Sequence, residues 1–302
     1  MAIYITQTKG LISSPILQRQ EYLVNAARQQ GILPLSLYYY PVDGDSLGEL
    51  SARQDGILSG VSFRDDIIVQ LPTLLGEKYE LSLINKVNSF RSASTSKLII
   101  VISQLPTLDK SEEVAENIKL YNQADVLIVP SVEAGTFLRE HGLQVSRLVY
   151  LDIWDRNIDL AFERSTFKRK IVTPNENLAK KITGEWVRPT STLVYDLHKA
   201  GGYGLLWPST KYESGILEGR ILASGLPIIV NNESYLARLV ERAGMGIAFN
   251  DLMTVTDYVK HSSPEDYQTL AANAGRFSAF LREGGFTSHA ISQAVAQINQ
   301  LK

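Results

Sequence analysis

Enzyme chemistry rests on a few reactive side chains at fixed spacing, and this chain has few of them. It contains no cysteine, which removes disulfides, thiolate metal sites and thiol nucleophiles together. Its four histidines, His141, His198, His261 and His289, are too scattered to put two imidazoles on one helical face for a metal. No Walker loop is present, which argues against P-loop phosphoryl transfer. Gly201-Gly202-Tyr203-Gly204 looks like a shortened dinucleotide turn, yet it precedes an expected strand where such a turn must follow one. Asp43-Gly44-Asp45 has the spacing of paired aspartates around a divalent ion, but after Tyr38-Tyr39-Tyr40-Pro41 it reads more simply as a turn.

Three clusters could hold an anion or a sugar. Lys9 to Pro15 joins the first expected strand to the first helix, with Ser13 and Ser14 beside backbone N–H groups, a setting for a phosphate or equally for a plain N-cap. Lys180-Lys181 sits in a short helix after Thr173-Pro174-Asn175-Glu176-Asn177, where two ammonium groups and a helix start would suit a diphosphate, or where the pair is simply solvated. The longest cluster is Gly201 to Pro227. Glycines precede Leu205-Leu206-Trp207, polar Lys211-Tyr212-Glu213-Ser214-Gly215 stands at a helix start, and Ala223-Ser224-Gly225-Leu226-Pro227 leads into the apolar run Ile228-Ile229-Val230. Backbone that a ligand can approach, polar groups at a helix start and a buried strand make this the most specific segment of the chain.

The scaffold that must position these clusters follows from length and pattern. At 302 residues, 44% hydrophobic and 21% charged, the chain is long enough for two well-buried domains. Lys and Arg number 30 against 32 Asp and Glu, a net charge of -2, so no polyanion-binding surface and no nucleic-acid partner are expected. The start Met1-Ala2-Ile3-Tyr4 lacks the basic lead of an export signal, and no run approaches the roughly 18 apolar residues of a membrane span, so a soluble, cytoplasmic protein is expected. Short apolar runs alternate with stretches of helical period, the pattern of parallel sheets covered by helices on both faces. Strands are expected at Ile3 to Thr6, Leu35 to Tyr39, Asp66 to Gln70, Leu98 to Ser103, Val126 to Val129 and Leu148 to Leu151. After a charged stretch from Asp155 to Lys170 they resume at Ile171 to Thr173, Thr192 to Tyr195, Leu205 to Trp207, Ile228 to Val230 and Ile247 to Phe249. The expected fold is α/β, with two Rossmann-like doubly wound domains, residues 1–160 and 161–285, facing across a cleft. A last helix in 286–302 carries Ile291, Val295, Ile298 and Leu301 on one face and packs on the first domain or on another copy. Ligands of such sheets bind outside the carboxyl ends of the strands.

Gly202-Tyr203-Gly204-Leu205-Leu206-Trp207 and the exit Ala223-Ser224-Gly225-Leu226-Pro227-Ile228-Ile229-Val230 resemble the second domain of GT-B glycosyltransferases. The resemblance is closest to the bacterial glucosyltransferases that extend the O-glycan of serine-rich repeat adhesins, a family also described as nucleotide sugar synthetase-like or β-1,6-galactofuranosyltransferase. The first half agrees, with Asp66-Ile67-Ile68-Val69-Gln70-Leu71-Pro72, the run from Tyr121 to Ser131, and Trp154-Asp155 in the order that family shows. Nearly the whole chain is covered. The resemblance implies a UDP-sugar held mainly by the second domain, a glycan or glycoprotein acceptor held mainly by the first, no metal or other cofactor, and a homo-oligomer, dimer or tetramer. It also implies retention of configuration resting on positioned charge and the donor phosphate.

Residue by residue, the resemblance puts Ser13 and Ser14 near the donor phosphates, Lys180 or Lys181 against their charge, and Tyr195 near the uracil. Gly202, Tyr203, Ser214 and Glu218 line the donor pocket, and Gln104, Trp154 and Asp155 lie on the acceptor side. The chain departs from the family's pattern twice. Ile102-Ser103-Gln104 stands where the family has Ile-His-Asp, and Ser214-Gly215-Ile216-Leu217 where it has Asn-Pro-x-Lys, so an aliphatic side chain replaces a lysine. The expected activity is transfer of a hexose, glucose foremost, from a UDP-sugar to a glycan on a serine-rich glycoprotein or similar acceptor. The alternative is a relative that keeps the fold and serves as a binding or partner subunit.

Overall fold

A run such as Leu98-Ile99-Ile100-Val101-Ile102 has no polar face to turn toward water, so it belongs in the middle of a sheet covered on both sides. The computed structural model, which describes every residue except 11–13, 93–94, 208–210, 214 and 302, places it there. The chain divides into two units, Met1–Leu151 with Thr287–Lys302, and Asp152–Phe286.

The first unit runs β1 (Ile3–Lys9), α1 (Pro15–Gln29), β2 (Leu33–Tyr38), α2 (Leu47–Leu58), β3 (Asp66–Leu71), α3 (Glu77–Arg91), β4 (Leu98–Ile102), α4 (Ser111–Tyr121), β5 (Val126–Val129), α5 (Val132–Glu140) and β6 (Leu148–Tyr150). Its strands are parallel, in the order β2-β1-β3-β4-β5-β6. β3, β4 and β5 are buried along their whole length, whereas the edge strand β2 is exposed at both ends. Because the order reverses between β1 and β3, the loops that leave these two strands part at their carboxyl ends. Buried side chains tie that edge together. Thr8 Oγ1 donates to the Thr73 carbonyl (2.7 Å), Gln20 Nε2 to the Pro72 carbonyl (2.8 Å) and Arg19 Nη1 to the Ser103 carbonyl (2.8 Å). The second turn of α1 thus satisfies loop carbonyls that would otherwise be buried without a donor.

The second unit runs β7 (Ile171–Thr173), α6 (Glu176–Lys181), β8 (Glu185–Trp186), α7 (Leu193–Ala200), β9 (Tyr203–Leu206), α8 (Ile216–Ala223), β10 (Ile228–Asn231), α9 (Tyr235–Arg242), β11 (Gly246–Phe249), α10 (Leu252–His261) and α11 (Pro264–Arg282), and α12 (Gly285–Asn299) begins in it. The strands are again parallel, ordered β11-β10-β9-β7-β8, with the reversal between β7 and β9. Successive strand residues feed opposite cores, as the two-residue period of a strand requires. Val172, Leu206, Ile228 and Val230 pack with Leu197, Ile221 and Leu236, while Ile171, Tyr203, Leu205 and Ile229 pack with Leu178, Val255 and Tyr267. The chain end returns to the first unit, where Gln30 Nε2 donates to the Ser288 carbonyl (2.9 Å) and Ser292 Oγ to Gln30 Oε1 (3.1 Å).

Several elements differ from expectation. Thr192 to Tyr195, whose β-branched and aromatic residues suit a strand, opens helix α7, because Leu193, Val194 and Leu197 form one buried face that runs on to Gly201. Gly201, at φ 72°, ends the helix. The neighbour of β7 is instead Glu185–Trp186, two exposed residues with no apolar pattern. Helix α2 has a signal in Ser46-Leu47-Gly48-Glu49, a capping box in which Ser46 Oγ accepts from the Glu49 N–H and Glu49 Oε2 from the Ser46 N–H. The same stretch spells Gly44-Asp45-Ser46-Leu47-Gly48, the letters of a serine-hydrolase elbow. It follows a 3-10 turn where an elbow follows a strand, and Ser46 Oγ is held by Glu49 Oε2 at 2.7 Å. The border between the units falls after Leu151, ahead of residue 160, because the chain is anchored in the second unit from Trp154 onward. The Arg156 N–H donates to the Leu281 carbonyl (3.0 Å) and Asp155 Oδ1 accepts from the Phe286 N–H (3.2 Å). Among the described residues no helix is long and apolar enough to cross a membrane.

Candidate functional site

The reversal of strand order between β7 and β9 leaves a cavity of about 60 Å³ at their carboxyl ends. Thr173, Pro174 and Asn175 line it from the end of β7, Leu205, Leu206 and Trp207 from β9, and Leu217, Glu218 and Ile221 from α8. Each wall is held locally. Asn175 Oδ1 accepts from the Leu178 N–H (3.0 Å) and caps α6, Thr173 Oγ1 accepts from the Asn175 N–H (3.3 Å), and Trp186 Nε1 donates to the Pro174 carbonyl (3.3 Å). Helix α8 seats closely on β9 because Gly204 has no Cβ, which would meet Ile221 Cγ2 at 3.1 Å. The N-cap of α8 is Gly215, which has no side chain to bond the first-turn N–H groups, so their bonding falls to solvent or ligand. Glu218 folds back over that start, where a Cβ on Gly215 would collide with its carboxylate. Apolar walls, a half-buried indole, a carboxylate and an uncapped helix start are suited to a flat heterocycle, a diol and an anion.

Of the residues expected at a donor site, the structure brings Glu218 to this cavity. Ser13 and Ser214 lie outside the described residues. Ser14 is the N-cap of α1, its Oγ accepting from the Leu17 N–H at 3.2 Å. Gly202 and Tyr203 stand at the amino end of β9, the edge opposite the cavity. Tyr203 is 1% exposed and packs edge-on against Tyr258 and Tyr267, and the Gly202 carbonyl accepts from Tyr267 Oη at 3.0 Å. Both residues build the core. Tyr195 is half-exposed on α7 and does not line the cavity. Lys180 and Lys181 occupy the last turn of α6 whereas the cavity adjoins its first, and Lys180 pairs with Glu176 at 2.7 Å on an exposed turn. Lysines there complement the helix's negative end. The expectation passed over Asn175 and Trp207, whose signal is that each follows the carboxyl end of a strand at the reversal point.

In the first unit a pocket of about 360 Å³ opens beyond the carboxyl ends of β3 and β4. Pro72, Leu74, Gly76, Gln104, Leu105 and Pro106 line it from the loops, Glu77 and Glu80 from α3, and Glu113, Glu116, Asn117 and Leu120 from α4. Gln104, expected on the acceptor side, is in this pocket. Trp154 and Asp155 are not, being 1% and 0% exposed and part of the second unit. Ser103 is buried beneath Gln104, its N–H donating to the Leu71 carbonyl at 2.6 Å. Among the described residues no group of three or more His, Asp or Glu side chains is placed to hold a metal ion.

Glu80 shapes this pocket's rim, its Oε1 accepting from the Thr73 N–H (2.6 Å) and Oγ1 (3.0 Å). Burial pushes the Glu80 carboxyl above the ordinary value of 4.5, with the two Thr73 bonds pulling down and Glu77 pushing up. A carboxyl raised on folding contributes stability below its unfolded pKa and loses it as pH rises through the folded one. Glu80→Gln keeps the acceptor for Thr73 and is expected to gain stability over the wild type as pH rises above 4.5, measured as urea midpoints across a pH series.

The sequence matches the family profile described as Glucosyltransferase 3-like, N-terminal domain, over residues 2–153, and that described as Glucosyltransferase 3-like, C-terminal domain, over residues 145–294. The chain belongs to the glucosyltransferase 3-like family. It is similar to Glucosyltransferase 3 of Streptococcus gordonii, 29% identical over 99% of each chain, and to Glucosyltransferase 3 of Streptococcus parasanguinis, 28% identical over 98% of this chain and 99% of that one. Its fold is shared with HepE of Anabaena solved in complex with UDP (TM-score 0.63, 12% identity, 98% of this chain and 100% of that one). It is shared also with sucrose-phosphate synthase of Thermosynechococcus elongatus (TM-score 0.65, 11% identity, 100% of both chains) and an alpha-glucosyltransferase solved in complex with UDP (TM-score 0.59, 12% identity, 99% and 100%). Two doubly wound parallel units in one chain are the GT-B fold, and this glucosyltransferase 3-like chain is a glycosyltransferase.

Proposed function

We propose that the chain is a UDP-sugar-dependent hexosyltransferase that takes glucose from UDP-glucose, holding the donor at the cavity of the second unit and a glycan acceptor at the pocket of the first. The observation that carries this is the position of the cavity at the strand-order reversal of the second unit, in a member of a glucosyltransferase family. The Trp207 indole packs on the uracil, Glu218 accepts hydrogen bonds from the ribose hydroxyls, and the first-turn N–H groups of α8 meet the diphosphate. As the sugar departs, charge builds on that diphosphate, and oriented N–H dipoles stabilise it without reorganising. Gln104, Asn117 and the carboxylates of Glu113 and Glu116 bond acceptor hydroxyls. The acceptor is a glycan on a serine-rich or similar glycoprotein, the setting is cytoplasmic, and transfer needs no metal.

The test is a calorimetric titration with UDP and UDP-glucose in the presence of EDTA. Both are expected to bind at one site per chain, and absence of binding by either would overturn the donor assignment. Lys180→Ala/Lys181→Ala is expected to change UDP affinity by less than about two-fold, because an exposed pair at the far end of α6 contributes little across solvent.

A further inference from the structure

Arg156 lies 3% exposed in the second unit, with its backbone N–H fixed to the Leu281 carbonyl at 3.0 Å. Its Nη2 donates to the carbonyl of Gly215, the residue that opens α8, at 3.3 Å. The rest of the guanidinium lies against Gly219, where a Cβ would come within 2.6 Å of Nε and 3.1 Å of Cζ. Arg156 therefore touches α8 at two points one turn apart, on the turn that carries Leu217 and Glu218 into the cavity. Taking a guanidinium out of water is costly, and the planar fork can span two points in a way that an ammonium cannot. The glycine at 219 is what allows the close seat.

We propose that Arg156 is a positioning residue for the sugar-nucleotide donor. Resting on Gly219 and bonded to Gly215, it sets the first turn of α8, and through that turn the N–H groups and the Glu218 carboxylate that meet the donor. The assignment rests on the donor reading of the cavity.

A double-mutant cycle on residues 156 and 219 tests it, read as KM and kcat for UDP-glucose hydrolysis with UDP affinity and melting temperature measured alongside. Gly219→Ala places a methyl where the guanidinium lies. It is expected to raise the donor KM about ten-fold while kcat changes less than about two-fold, the sign of a displaced binding contact. In an Arg156→Ala background the methyl meets no guanidinium, and Gly219→Ala is expected to leave KM where Arg156→Ala alone puts it. Equal effects of Gly219→Ala in both backgrounds would overturn the proposal. Should Arg156→Ala fail to fold, Arg156→Lys takes its place: a smaller effect of Gly219→Ala in that background supports the proposal, and an undiminished one overturns it. Trp207→Ala separates the two assignments. Unchanged UDP affinity in Trp207→Ala removes the donor site itself, whereas weakened affinity there together with additive effects at 156 and 219 removes only the role of Arg156.

Discussion

UDP is expected to bind the Trp207→Ala variant about 10- to 100-fold more weakly than the wild type, the range that loss of one base–aromatic stack produces. Trp207 follows the carboxyl end of β9 at the reversal point and is half-buried, so one face of the indole is seated on the protein and the other is accessible. Truncation removes that face and leaves Leu205 and Leu206 beneath it, both within 2% of full burial, so the variant is expected to fold. Trp207→Phe retains a flat apolar ring and is expected to keep most of the affinity. Titration calorimetry with UDP reads both variants, and an alanine variant that binds as the wild type does would place the uracil elsewhere. The loss should be shared by UDP-glucose, since the stack concerns the base and not the sugar.

Gly202→Ala is expected to destabilise the second unit by at least about 3 kcal/mol, a size reached when left-handed backbone strain and a buried collision act together. Gly202 has φ 77°, and its added Cβ would stand 2.5 Å from the Lys170 carbonyl oxygen. That carbonyl accepts from the Tyr203 N–H at 3.0 Å, and the Gly202 N–H donates to the Thr166 carbonyl at 3.1 Å, so relief of the clash would break the start of β9. Urea unfolding reads the loss. Whatever fraction remains folded is expected to bind UDP with wild-type affinity, because Gly202 sits at the opposite edge of the sheet from the cavity. A stable Gly202→Ala protein that no longer binds UDP would instead return this glycine to the donor site.

These two variants separate residues that stand six positions apart in sequence and that resemblance groups as one loop. β9 has four residues, and four residues of strand span roughly 13 Å, so Gly202 and Trp207 end on opposite edges of one sheet. A motif marks the segment without saying which of its ends meets ligand. Lys180 and Lys181 show the same for helices: the cluster reads as a helix start with two lysines, yet a helix rises about 1.5 Å per residue, and the lysines of α6 come to lie a turn beyond the end that adjoins the cavity. Thr192 to Tyr195 misleads for a different reason, since four β-branched and aromatic residues fit either period and only packing of Leu193, Val194 and Leu197 against the sheet decides for α7.

Sequence alone determined the α/β class, most of the strands and the family. A strand in the middle of a parallel sheet has to be apolar on both faces, and that requirement is written in composition over four to six consecutive residues such as Leu98 to Ile102 or Val126 to Val129. The family was legible because ordered segments along nearly the whole chain carry it, and the matches over 2–153 and 145–294 agree. Tertiary structure decided which residues meet at the cavity and what lies beneath it. Arg156 and Gly219 are 63 positions apart and share no period or motif. They touch because the anchoring of residues 154–156 to the end of α11 brings one guanidinium under the first turn of α8, and close packing at a single atom's width is a property of the folded chain that no local pattern encodes.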